Sequence, residues 1–170
     1  MSNAIVNFII GLFPNASGVF IKELIVFIIS LLPILELRGG LLAASLLKLD
    51  PWASYIICMI GNLLPIPFIL LLINKIIEWM RKKKRLKKVV NFIDKKVTKN
   101  KVQIEKYGYV GLALFVGIPL PGTGAWTGAL LASVLEMDRK KSFLAIVIGV
   151  FIASVIMMLI SFGILGSIIK

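Results

Sequence analysis

Past residue 22 the chain has five stretches without a charged side chain: 24–35, 39–47, 51–74, 107–135 and 142–169. Lipid offers the backbone no hydrogen-bond partner, so an apolar run of roughly 20 residues crosses the ~30 Å hydrocarbon layer as a helix that satisfies itself. Two of these runs, 51–74 and 142–169, pass as spanning helices; 107–135 also has the length but is broken in its middle. Composition agrees, because 59% of the 170 residues are hydrophobic and mean hydropathy is +0.98, well beyond a water-soluble domain. The expected class is an all-α integral membrane protein.

Two further regions are interrupted in their middles. Pro33, Glu36, Arg38, Gly39 and Gly40 break 24–47, and Pro119, Pro121, Gly122 and Gly124 break 107–135. Proline removes an N–H and glycine frees the backbone, so neither region reads as a simple spanning helix. Each is expected to be a re-entrant hairpin that enters and leaves on one face. That arrangement puts the 13 Lys and Arg of 75–106 on the same side as Arg139, Lys140 and Lys141, with Lys22, Lys48 and Lys170 opposite. If both regions spanned instead, the Arg139–Lys141 turn would fall opposite the basic block. Cationic flanks stay cytoplasmic, which favours the hairpins and places 75–106 in the cytoplasm. Enrichment in Lys and Ile suggests a bacterial or archaeal plasma membrane.

The expected organisation is one membrane domain. An interfacial helix and turn (1–23) precede hairpin 24–47, transmembrane helix 51–74, basic helix 75–106, hairpin 107–135 and transmembrane helix 142–169. Hairpin, short polar turn and span occur twice, from opposite faces, as in the inverted repeats of many secondary transporters. Between the halves, Leu86, Val89, Val90, Ile93 and Val97 recur at helical spacing among cations. This amphipathic helix suits anionic lipid or fixes topology, whereas nucleic acid is not expected, since no aromatic residues interleave the charge.

No histidine occurs, and the one cysteine, Cys58, lies in an apolar run. Triads, His-ligated metals and thiolate clusters are therefore not expected, and neither is a cofactor, a metal or an enzyme activity. Chemistry concentrates on Glu36 and Arg38, the ionisable side chains set well inside an apolar region. A charge at bilayer depth costs at least about 2.5–3.5 kcal/mol on insertion scales, so it marks a functional site or a structural pair at the hairpin tip. The second tip, Gly117–Gly128, stops one helix with two prolines and starts another, with Thr123 placed to cap it. Half-helices beginning there and at Gly39 would aim N–H groups at one another, with Arg38 between, as an anion site. A plain tight turn with Gly124 and Gly128 as a packing face is the simpler alternative. Asn62, before Pro65 and Pro67, marks either a plain kink or a side chain that bonds to a freed carbonyl or to a ligand. Trp52 and Trp79 are interfacial anchors, and Trp126 stands beside the second tip.

Glu36-Leu37-Arg38-Gly39-Gly40 and Pro119-Leu120-Pro121-Gly122-Thr123-Gly124-Ala125-Trp126-Thr127-Gly128 resemble the two signatures of the small multidrug export protein family. The family is similar in turn to the DedA superfamily of membrane transporters. That similarity implies paired re-entrant hairpins and, for several members, the return of polyprenyl-phosphate carrier lipid across the membrane. Together these point to substrate-binding residues Glu36, Arg38, Gly39, Gly40, Pro119, Pro121, Gly122, Thr123, Gly124, Trp126 and Thr127. The expected function is a transporter or flippase for an anionic, lipid-linked phosphate, with Glu36 coupling protons or gating. One alternative is export of lipophilic cations on Glu36. Another is a non-transporting scaffold that binds anionic lipid or partners through 75–106. Gly149, Gly163 and Gly166 offer close-packing surfaces for a homodimer.

Overall fold

The computed structural model describes residues 18–83, 86–120 and 122–164, and among these every regular element is helical. In chain order they are α1 (Val19–Leu31), α2 (Glu36–Leu46), α3 (Pro51–Leu63), α4 (Ile66–Arg81), α5 (Lys87–Gly117), α6 (Ala125–Val134) and α7 (Arg139–Met158). A π-helical segment, Leu159–Ile164, extends α7. The interfacial helix expected at 3–13 lies outside the described residues, as do Pro121 and Gly166. The first helix begins at Val19, inside the segment expected to be an interfacial turn.

Two helical stretches are long and apolar enough to cross a membrane, Pro51–Arg81 and Arg139–Gly163. The first combines α3 and α4. Pro65 and Pro67 take two N–H groups out of the ladder, yet Leu64 and Pro65 keep helical dihedrals, and Leu64 and Ile69 still donate to Ile60 and Pro65. The result is a kink, and the helix runs seven residues beyond the expected end at 74, through Trp79 to Arg81. Consequently the basic helix starts at Lys87 instead of 75. Its apolar stripe, Val90, Val97 and Ile104, is buried, and at Gly108 (φ 56°) α5 turns into the apolar limb that ends at Gly117.

The remaining helices α1, α2 and α6 have 13, 11 and 10 residues. At 1.5 Å per residue each is about 15–20 Å long, well short of a bilayer. Helix α1 packs on α2 and α3, and the apolar limb of α5 packs on α6 and α7.

The two triplets use the same devices at matched positions. Each short helix ends on a left-handed residue, Lys48 (φ 54°) or Glu136 (φ 55°). The next N–H then reaches back five residues, Leu49 to Ala44 at 3.0 Å and Met137 to Ala132 at 2.9 Å. An aspartate follows and caps the long helix: Asp50 accepts from Ala53 N–H at 2.8 Å, and Asp138 from Lys141 N–H at 2.9 Å. Glycines make the tight approaches. A Cβ on Gly61 would stand 2.9 Å from the Phe27 carbonyl of α1, and one on Gly149 would stand 2.6 Å from the Ala113 carbonyl of α5. Similarly, Gly40 seats against Ser30 and Cys58, and Gly128 against Val116 and Ile146. Lipid provides little hydrophobic drive between helices, so close backbone approach at small residues supplies the packing energy. Gly149 is therefore used within the chain, not on an outer dimerisation surface.

Candidate functional site

The two triplets meet where α2 begins. Pro33 ends the α1 side of the turn, and Glu36 follows at φ 50°, a left-handed conformation that costs a non-glycine residue about 1–3 kcal/mol. The strained turn carries the Glu36 side chain across to the other triplet, where it is 5% exposed. There Oε2 accepts from Ala125 N–H at 3.0 Å and Oε1 from Trp126 N–H at 3.2 Å. These are the unpaired donors of the first turn of α6, so a carboxylate from one triplet caps the helix of the other. Gly124, the residue before α6, has φ 133° and touches this carboxylate so closely that a Cβ would collide with it.

Arg38 lies two residues further along and serves the opposite end of the break. Pro119 supplies no N–H, so carbonyls at the end of α5 need donors from elsewhere. The guanidinium provides them: Nη1 donates to the Leu120 carbonyl, and Nη2 to the carbonyls of Ile118 (3.2 Å) and Val116 (3.4 Å) and to Thr123 Oγ1 (3.1 Å). The negative charge sits at a helix start and the positive one at a helix end, as both dipoles prefer.

These contacts revise the expected anion site. Helix α2 starts at Glu36, so Gly39 and Gly40 lie one turn inside it and serve packing; a Cβ on Gly39 would stand 2.7 Å from Leu35 Cβ. Thr123 does not cap α6. Its hydroxyl lies 2.9 Å and 2.8 Å from the carbonyls of Ile118 and Leu120, on the α5 side of the break. The N–H groups of Ala125 and Trp126, which an anion would use, are held by Glu36.

Of the expected residues, Glu36, Arg38, Gly39, Pro119, Gly122 and Thr123 border one cavity of about 370 Å³, which Leu42 and Met157 complete with apolar surface. Arg38 is half-buried on its wall. Gly40 and Thr127 are buried, Thr127 inside α6, and Pro121 is outside the described residues. Trp126 contributes its backbone N–H to Glu36, while its indole Nε1 is buried without a hydrogen-bond partner among the described residues. Asn62, 3% exposed, also comes close, sharing with Glu36, Arg38 and Gly124 the wall of a second, much smaller cavity. Sequence reasoning missed the carbonyls of Val116, Ile118 and Leu120, whose signal was the proline spacing after Gly117. Among the described residues no three His, Cys, Asp or Glu side chains gather as a metal site.

A family model described as "Putative small multi-drug export protein" matches residues 36–156, which begins at Glu36 and takes in both tips. No curated protein and no solved structure matches the chain.

Proposed function

The chain belongs to the small multi-drug export protein family, and from that premise we propose that it moves an amphiphile with an anionic headgroup across the membrane at the junction of its two triplets. The observation that carries this reading is the unequal access of the two charges. Glu36 is buried with both oxygens engaged, whereas Arg38 is half-buried on the wall of the 370 Å³ cavity, beside apolar Leu42 and Met157. A phosphate or carboxylate suits Arg38, and a hydrocarbon tail suits the remaining wall. Lipid-linked phosphates of the polyprenyl type have this chemistry.

In this reading α1–α2 and the α5 limb with α6 are re-entrant hairpins, too short to span, and the matched glycines, left-handed residues and aspartate caps are the signature of an inverted repeat. Glu36 is the gate. Ionised, it occupies the N–H groups of Ala125 and Trp126; protonated, it releases them to the headgroup, so proton and anion compete for one helix terminus. The chain would then cross twice with Lys87–Lys106 cytoplasmic.

Export of lipophilic cations on Glu36 is the second reading, favoured by the family description and by the carboxylate's place in the apolar interior. Native mass spectrometry decides between them, offering polyprenyl phosphate and a lipophilic cation in competition to wild type, Arg38→Ala and Glu36→Gln, each checked by melting. Phosphate-lipid adducts lost with Arg38→Ala are the expected result. Drug adducts that survive Arg38→Ala and vanish with Glu36→Gln would overturn it.

A further inference from the structure

The smaller cavity beside Glu36 measures about 10 Å³, and its wall includes Glu36, Arg38, Asn62, Gly124, Val150 and Ala153. One water needs roughly 10–15 Å³ on this measure, with two to four polar partners. Asn62 is 3% exposed, and its Oδ1 has no hydrogen-bond partner among the described residues. A buried carbonyl left in that state forfeits the hydrogen bonds that water gave it. Across the cavity stands the Glu36 carboxylate, which when ionised is also purely an acceptor. Two acceptors cannot bond to one another, but one molecule that donates twice would satisfy Asn62 Oδ1 and add to the donors the carboxylate already has.

We propose that this cavity holds a single internal water, donating one hydrogen to Asn62 Oδ1 and the other to the Glu36 carboxylate, with Arg38 as the donor available to its oxygen. Asn62 is then a positioning residue, acting on Glu36 through the water. The kink at Pro65 and Pro67 follows directly after it and belongs to the same break in the span. When Glu36 takes up a proton, its O–H donates to the water oxygen and the water still donates to Asn62, so the bridge persists in both protonation states. The site deepens the reading of Glu36 as the proton-responsive gate, yet its readout is a bound water. Loss of transport would leave it standing, and its failure would leave the transport reading untouched.

The test is a water-to-methyl nuclear Overhauser measurement on full-length protein in micelles, with alanine methyls labelled. Ala125 and Ala153 line the cavity and are 0% and 4% exposed, so only an internal water reaches their methyls. The wild type should show cross-peaks from a long-lived water to both. Asn62→Leu, near-isosteric but without the acceptor, should lose them, and so should Val150→Ile, which fills the cavity and leaves Asn62 and Glu36 in place. Should Asn62→Leu fail to fold, wild type and Val150→Ile still decide. Absence of the cross-peaks in wild type, or their survival in a folded variant of either kind, overturns the assignment.

Discussion

Replacing Gly124 by alanine tests whether the cap made by Glu36 joins the two triplets energetically. At φ 133° and ψ −177° the backbone of Gly124 occupies a region essentially reserved for glycine, so any side chain there costs on the order of 1–3 kcal/mol. The added methyl would in addition stand 2.7 Å from Glu36 Cδ and 2.8 Å from Oε1, and collide with Oε2. The carboxylate must then leave the N–H groups of Ala125 and Trp126, forfeiting hydrogen bonds to a charged group worth about 1.5–3 kcal/mol each. Gly124→Ala should therefore destabilise by about 4–9 kcal/mol, about 1–3 from strain and about 3–6 from the two lost bonds. Its two parts separate in a double-mutant cycle with Glu36→Ala. Backbone strain remains in that background, while the collision and the lost cap do not, so the pair should couple by roughly 3–6 kcal/mol. Equilibrium unfolding in mixed micelles measures all four variants. Strict additivity would refute the capping contact, whatever the single-variant values.

Gly40→Ala drives a methyl into Ser30 Oγ and Cys58 Sγ and should cost about 1–3 kcal/mol as overpacking, with Ser30→Gly restoring most of it in the same unfolding assay. Arg38→Lys keeps the charge but cannot serve three carbonyls and Thr123 at once, so it should lower stability by about 1–3 kcal/mol and weaken phosphate-lipid adducts; wild-type behaviour in both would remove the fork from the argument. Asp138→Ala should cost about 1 kcal/mol through the lost cap of α7, while Asp94→Ala, breaking the exposed Arg81 ion pair at 2.9 Å, should cost under about 1 kcal/mol by the same measurement. In a Cys58→Ser background, Lys48→Cys should react with a membrane-impermeant maleimide in intact cells and Lys140→Cys should not. Labelling of both, or of 140 alone, would refute the re-entrant arrangement.

The sequence by itself pointed to the helical membrane class, because uncharged runs of this length match a spanning helix and far exceed a barrel strand. It also located the two breaks, through Pro33 and Pro119, although Gly39 and Gly40 beside the first lie inside α2. The chemistry at those breaks was legible in part: two charges amid apolar sequence identified Glu36 and Arg38 before any contact was known. What they touch was not legible. Local rules put Thr123 at the start of α6, whereas the cap comes from Glu36, 89 residues away, and Thr123 faces the other end of the break. Local rules likewise began a half-helix at Gly39, whereas α2 begins at Glu36 and α1 and α3 press on Gly39 and Gly40. The repeated order of break, polar turn and long helix was legible, but the matched residues within it were not, for the same reason. Lys48 answers to Glu136 and Cys58 to Ile146 through shared backbone geometry and shared neighbours, not through shared side-chain chemistry. Helix type and breakage follow from nearest neighbours along the chain. Which carboxylate meets which helix terminus depends on how separate segments pack, and that was decided only in three dimensions.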